Sequence, residues 1–442
     1  MKRTAIVLTM VFHGFLASAG RASAQTPVVR LTLPEAIARG VDASHRLAEF
    51  GARAEAAKAV ERQRKAAEMP HLALLAGYSR TNHVQEFVVP NPGGGLRVIY
   101  PDVPDNYGAR VDFQWPIYTA GRTTALVKAA AADVDAVSQD REAARGDLKL
   151  EITRAYWSVI TANAAVDVVR QALSRIEAHL TDVKNQLSVG LIPPSDVLTV
   201  EAQQARQQML AIESENVLAT ASTDFRRLVG LPPDTPFALA DVMQPPPAPP
   251  KEVAALVDAA RLNRAERRAL EIRVSGAAER VNASAAGRKP MLMSVGGYDM
   301  ARPNPRIFPR QAVWKPSWDL GVNVNWPLFD GGRVRAEVAE ADANRRAISE
   351  RLKEFDSTVD AEVRQRVIDV VSAEASIAAA GVGVRSAAEA RRVLAERFAA
   401  GVATNTDVLD AQVALLQAEL DRTRAIANAQ LAAARLDRAL GR

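Results

Sequence analysis

The chain has 442 residues, with 56 Lys and Arg against 51 Asp and Glu, 24 Gly, 24 Pro and no Cys. The two charge signs are interleaved rather than clustered, which argues against a nucleic-acid binder. The lack of Cys excludes thiol catalysis, disulfides, Cys-ligated zinc, iron–sulfur clusters and a lipid carried on an N-terminal Cys.

Met1-Lys2-Arg3, an apolar run from Thr4 to Ala19, and Ala22-Ser23-Ala24 before Gln25 read as a cleavable signal peptide over 1–24. Its removal takes Lys2, Arg3 and Arg21 and no acid, so the exported chain is nearly neutral. A retained membrane anchor fits less well, because the run is short and broken by His13 and Gly14. No later stretch approaches 18 consecutive apolar residues, so no transmembrane helix is expected beyond the signal, and a chain that crosses a membrane must do so as a β-barrel.

A helix is predicted over 33–68 and a strand over 71–79, where Leu72, Leu74, Ala76 and Tyr78 alternate with smaller or more polar residues. After a loop over 80–106, Tyr107, Ala109, Val111, Phe113 and Trp115 alternate with Gly108, Arg110, Asp112, Gln114 and Pro116, predicting a strand over 107–116. About nine residues of such alternation is what a tilted transmembrane strand requires. The period then changes to 3.5. Leu148, Ile152, Ala155, Val159, Ala162, Val166, Val169, Leu173, Ile176, Leu180, Val183 and Leu187 form an unbroken apolar seam of coiled-coil type. The helix predicted over 122–188 is a rod of about 100 Å at 1.5 Å per residue.

Val189-Gly190-Leu191 reads as a glycine-capped helix end, and Ser195 as the cap of a returning helix over 195–228. The proline-rich stretch 231–250 reads as a linker. Beyond it the same elements recur: a helix over 252–288, strands over 291–300 and 317–326, a rod over 333–400 and a helix over 407–440. Gln114-Trp115-Pro116-Ile117-Tyr118-Thr119-Ala120-Gly121-Arg122 returns as Asn325-Trp326-Pro327-Leu328-Phe329-Asp330-Gly331-Gly332-Arg333. Gly190 maps onto Gly401 and Asp196 onto Asp407 at the same offset. Only Arg366 and Arg391 break the second seam, which runs from Val359 to Phe398.

The expected fold is therefore mainly α with a transmembrane β part, built from a duplicated helix–β-hairpin–long helix–turn–helix unit. Two half-length helices stacked end to end beside each rod would cover its seam. Tyr78, Trp115, Tyr118, Tyr298, Trp318 and Trp326 are placed to form a membrane aromatic girdle. Four strands cannot close a barrel, and an open edge in lipid leaves backbone groups unpaired, so several chains must combine.

The duplicated unit, the Trp-Pro-(Ile/Leu)-(Tyr/Phe)-x-x-Gly-Arg junctions, the two glycine tips and Thr406-Asp407-Val408-Leu409-Asp410-Ala411-Gln412 resemble the TolC family of outer-membrane efflux and secretion channels. The resemblance spans the mature chain. It implies a homotrimer with a 12-stranded barrel in the Gram-negative outer membrane, continued by a long periplasmic α-helical barrel with an equatorial region near 231–250. It implies the exit duct of a tripartite efflux or type I secretion system, partnered by a periplasmic adaptor and an inner-membrane pump, with cargo left open. By carry-over, Val189, Gly190, Leu191, Gly401, Val402 and Ala403 would meet the adaptor. Asp407 and Asp410 would form acidic rings at the periplasmic entrance; Asp407 is equally read as a favourable carboxylate in a first helical turn. Asp196 matches a carboxylate that helps hold the entrance closed. Its usual Tyr and Arg partners are replaced here by Phe398 and Ala403, so closure is expected to rest on packing at Phe398 or on Arg397.

Two other classes compete. An enzyme would need a catalytic, metal-binding or cofactor-binding motif; the five His are scattered and no such motif has a supporting context. A periplasmic coiled-coil adaptor would need one hairpin flanked by compact β-domains, whereas this chain has two hairpins and little β sequence.

Overall fold

A computed structural model describes residues 28–247 and 252–442; the predicted signal peptide lies outside the described residues. The first half runs β1 (Val29–Leu31), α1 (Leu33–Asp42), α2 (His45–Ala66), β2 (His71–Arg80), β3 (Phe87–Pro90), β4 (Leu96–Tyr100), β5 (Asp105–Tyr118), α3 (Arg122–Ser188) and α4 (Pro194–Leu228). The second runs β6 (Phe237–Leu239), α5 (Val253–Asn263), α6 (Ala265–Ala285), β7 (Met291–Arg302), β8 (Lys315–Asn325), α7 (Arg333–Ala399) and α8 (Asn405–Ala439). The rods α3 and α7 have 67 residues each, and the returning helices α4 and α8 have 35 each.

The strands β2, β5, β7 and β8 make one antiparallel sheet in that order, with β5–β7 joining the two halves. Its edge strands, β2 and β8, have no second neighbour among the described residues, so the single chain holds an open sheet and no closed barrel. At each strand-to-rod junction a glycine sits just before the helix in the left-handed region, Gly121 at φ 82° and Gly332 at φ 89°. That backbone is cheap only for glycine, which explains the repeated Gly-Arg of the junction motif. Asp330 accepts from the backbone N–H groups of Gly332 and Val334, both at 2.9 Å, and those bonds hold its carboxyl below the usual range.

Along the rods, α3 packs against α2 and α6 on the sheet side and against α4 and α8 on the far side, while α7 packs against α6 and α8. Ten of the twelve seam residues of α3 are buried; Leu173 and Leu187 are half-buried. The seam of α7 is buried only at Val359, Val363 and Val370; from Ala373 to Phe398 it is half-buried. Cross-helix ion pairs tie the sheet-side half together, among them Arg280–Asp133 at 2.5 Å, Arg267–Asp356 at 2.7 Å and Arg261–Asp360 at 2.8 Å.

The two helices expected over 33–68 and 252–288 are each divided. The first breaks at Ala43–Ser44, where Ser44 Oγ accepts from Leu47 N at 3.3 Å and caps α2. The second breaks at Arg264, whose ψ of 120° is extended. Both breaks lie where a returning helix ends. A Cβ on Gly230 would come within 2.5 Å of Ala43 Cβ, and one on Gly441 within 2.9 Å of the Asn263 carbonyl carbon. Stacking helix ends against each other this tightly forces the partner chain aside.

Residues 237–239 within the expected linker form a strand, paired in parallel with β1 through Val29↔Phe237, Arg30↔Ala238 and Leu31↔Leu239. Tyr156, fully buried, stands beneath this pair with Phe225, Ile152 and Val229. Its hydroxyl donates to Asp241 Oδ2 at 2.5 Å and lies 3.2 Å from the Leu31 carbonyl. The following prolines, Pro245–Pro247, line a cavity with Val370, Ile377 and Ala429 of α7 and α8, and Gln430 Nε2 donates to the Gln244 carbonyl at 2.7 Å. The 80–106 loop also carries a hairpin, β3–β4, that the sequence reading did not separate from the loop.

Candidate functional site

The sheet register fixes two chemically distinct faces. Across β2, β5, β7 and β8, one face carries the pairs Leu72↔Phe113, Leu74↔Val111, Tyr78↔Tyr107 and Tyr298↔Trp318, with Leu320, Val322 and Val324 following on β8. Most of these large apolar side chains are exposed in the single chain. The girdle candidates fall at both ends of this face. Tyr78, Tyr298 and Trp318 lie toward the hairpin tips, where the Tyr78 and Tyr107 rings are 4.9 Å apart. Trp115, Tyr118 and Trp326 lie toward the rods. Trp115 Nε1 donates to the Glu68 carbonyl and Trp326 Nε1 to that of Arg288, each at 3.2 Å, so the indoles are pinned to the ends of the preceding helices.

The opposite face is polar. Arg110 donates through Nε to Asp112 at 2.5 Å and through Nη1 to Asp319 at 2.9 Å, and it also pairs with Asp299. Arg306, from the 303–314 loop, reaches Asp319 at 2.8 Å. This knot joins three strands. Sequence alternation placed Arg110 and Asp112 on one face, but their partnership with Asp299 and Asp319 depends on the β5–β7–β8 register and had no local signal.

At the far end of the rods the two tips share one geometry. Gly190 has φ 77° and donates to Leu187 O at 2.9 Å, while Leu191 N reaches Gln186 O at 3.0 Å. Gly401 has φ 76° and donates to Phe398 O at 2.9 Å, while Val402 N reaches Arg397 O at 2.9 Å. These paired bonds close each rod with a left-handed glycine and push the next residues outward. Val189, Leu191 and Val402 are strongly exposed, and Ala403 is half-buried. Ser195 does not cap α4, which starts at Pro194 with Pro193 before it. A proline at the first helical position lacks only an N–H that would have no intrahelical partner.

Asp407 sits in the first turn of α8 and forms a reciprocal cap with Thr404. Its Oδ2 accepts from Thr404 Oγ1 at 2.7 Å and from Thr404 N at 2.8 Å, while its own N–H donates to Thr404 Oγ1 at 3.2 Å. The Thr404 hydroxyl, then the Thr404 backbone N–H, hold the Asp407 carboxyl below the usual carboxylate range. Asp410 is exposed one turn further on. Asp196 is half-buried in the first turn of α4.

Phe398 packs on an apolar cluster of Ile176, Leu180, Val183, Val197, Val200 and Leu409. Inside this cluster lies a polar pair the sequence reading missed. His179 on α3, 7% exposed, is bonded through Nε2 to Oδ1 of Asn405 at 2.7 Å; Asn405, the first residue of α8, is 5% exposed. The Asn405 amide donates to the Asp196 carbonyl at 3.2 Å, and the His179 ring meets Phe398 edge-on at 5.2 Å. The structure thus brings Asp196 and Phe398 together around His179 and Asn405, and leaves Asp407 and Asp410 on the outside of the same turn.

A family profile described as "Outer membrane efflux protein" matches residues 40–231 and 256–442. The protein CyaE of Bordetella pertussis is 26% identical over 319 residues, covering 71% of this chain and 64% of CyaE, just under two thirds of that relative. The outer membrane protein TolC of Vibrio cholerae is 24% identical over 379 residues, covering 85% of this chain and 83% of that one. Among solved structures, the outer membrane protein VceC of Vibrio cholerae superposes with a TM-score of 0.74 at 21% identity over 92% of this chain and 96% of its own. CusC superposes with a TM-score of 0.77 at 16% identity over 92% of each chain. At these identities the superpositions speak for the fold.

Proposed function

The chain belongs to the outer membrane efflux protein family, and from that premise we propose that it is an exit duct through which an inner-membrane pump, coupled by a periplasmic adaptor, passes small molecules or polypeptides to the outside. The observation that carries this reading is the open sheet with an apolar outward face, a polar inward face and two free edges, set on two coiled-coil rods. In lipid those edges require partners. Three copies arranged head to tail, β8 of one beside β2 of the next, complete twelve strands without any residual edge, a heterologous contact that closes into a ring. The same rotation places α7 against α2 and α4 of the next copy, which covers its half-buried seam. The apolar stretch of α7 long enough to cross a membrane is only 11% buried in the single chain; we assign it to this contact rather than to lipid.

In this arrangement the aromatic belts lie at the two interfaces of the outer membrane, and the Arg110 knot lines the barrel lumen. The rods enclose a periplasmic duct, and the exposed tips meet the adaptor. Attachment to the membrane comes from the barrel, since the chain has no Cys to carry a lipid.

The test is single-channel recording from purified protein in a planar bilayer. Barrel-inserted trimers with cation-selective conductance are expected. A protein that forms no trimer and does not insert would end the proposal.

A further inference from the structure

Resting on the exit-duct reading, we propose that His179, Asn405 and the backbone carbonyl of Asp196 form the latch that keeps the two helical hairpins of each protomer together at the periplasmic entrance, in place of a carboxylate-based lock. The argument starts from the Asn405 carboxamide. Its NH2 is committed to the Asp196 carbonyl at 3.2 Å, so the oxygen must face His179, and His179 Nε2 must carry the proton it donates at 2.7 Å. One side chain therefore ties α3, α4 and the first residue of α8 together, with both of its polar ends used.

Position gives this tie its leverage. Among the described residues, α3 and α8 are also joined by Arg175–Glu419 at 2.9 Å and, near the equator, by Arg438–Asp147 at 2.8 Å. The His179–Asn405 bond lies nearest the tips. Swinging the α7–α8 tip away from α3–α4 must break it, withdraw the Asn405 amide from Asp196, and peel Phe398 from the imidazole edge. Both groups are buried at this apolar seam, so the bond is shielded from competing water for as long as the hairpins stay together. Opening is then opposed by an all-or-none polar contact inside an apolar seam. The Asp196 carboxylate takes no part; only its main-chain oxygen does.

The test compares trimers of wild type, His179→Leu, Asn405→Ala, His179→Gln and Asp196→Asn in planar bilayers, with thermal melting of each. His179→Leu and Asn405→Ala should raise the open fraction several-fold while trimers persist. His179→Gln retains an N–H donor toward Asn405 and should restore near-wild-type closure, which a loss of packing alone would not explain. Asp196→Asn keeps the main-chain carbonyl and tests the carboxylate alone; an open fraction raised as in Asn405→Ala would return the lock to that carboxylate and overturn the latch. Wild-type gating in both His179→Leu and Asn405→Ala, or a His179→Gln channel as open as His179→Leu, would overturn the latch. Failure of the wild-type chain to trimerise and insert would instead remove the exit-duct reading itself.

Discussion

Asp407 and Asp410 occupy adjacent turns of α8, yet they are chemically unequal. Asp407 spends its carboxylate on Thr404, and those bonds depress its pKa. A depressed carboxylate contributes stability that is fully present above its ordinary value of 3.8 and is lost as pH falls through the lower folded value. Acidification below about pH 4 should therefore loosen the 400–405 turn in the wild type. In Thr404→Ala this acid sensitivity should shrink, with a cost of about 1 kcal/mol at neutral pH from the lost cap; hydrogen exchange at the tip as a function of pH reads both. Asp410 has no such engagement among the described residues, so its charge is free to act on permeating ions. Asp410→Asn should lower cation selectivity more than Asp407→Asn, as read from reversal potentials in asymmetric salt. Equal effects would return both residues to the entrance ring. The carboxylate-in-first-turn reading of Asp407 was legible in the sequence; its Thr404 partner emerged only with the structure. The His179–Asn405 pair was not legible, because nothing local links residues so far apart in sequence, and a His on a heptad flank reads as a solvated position.

At the level of elements, legibility followed the range of the forces involved. The rods could be read because a 3.5-residue seam is a local repeat, and their glycine ends are local signals too. The breaks at Ala43 and Arg264 could not be read from propensity, since they arise where α4 and α8 butt against another helix. Ser44 caps α2 at the first break, and at the start of α1 Thr32 and Glu35 form a reciprocal cap in which Glu35 accepts from Thr32 N at 2.8 Å. The β1–β6 pair is three residues long on each side, and such strands exist only because a distant partner completes them. Tyr156 supplies that anchor. Tyr156→Phe would leave Asp241 with only the Leu33 N–H at 3.0 Å and detach β1–β6 from the rod. A loss of about 1 kcal/mol is expected, because the bond is part-buried and Asp241 is exposed to water, measured as a lower denaturant midpoint of the helical signal. A midpoint unchanged in Tyr156→Phe would mean that the ring alone, packed on Phe225, holds the equator.

For the whole molecule, what matters is which face of the sheet meets lipid, because every larger statement about the barrel depends on it. The register sets Leu320 with Tyr298 and Val322 on the apolar face, while Asn323, three residues along β8, points with Arg110 and Asp319 to the other. In a strand, side chains at odd and even positions point to opposite faces, so these two sites differ in surroundings but not in strand, length or edge. In the proposed trimeric barrel Leu320→Arg would put a cation in the hydrocarbon, at a cost of about 2–4 kcal/mol per protomer near the midplane. Three copies multiply that cost, and heat-stable trimers in outer-membrane vesicles should be lost. Asn323→Arg adds the same charge to the lumen, where water solvates it; trimers should persist and cation selectivity should fall. If the two substitutions were tolerated alike, the sheet would be solvated on both faces and could not be a barrel wall. If Asn323→Arg alone blocked assembly, the faces would be reversed, and the Arg110 knot would face lipid instead of the path of the cargo.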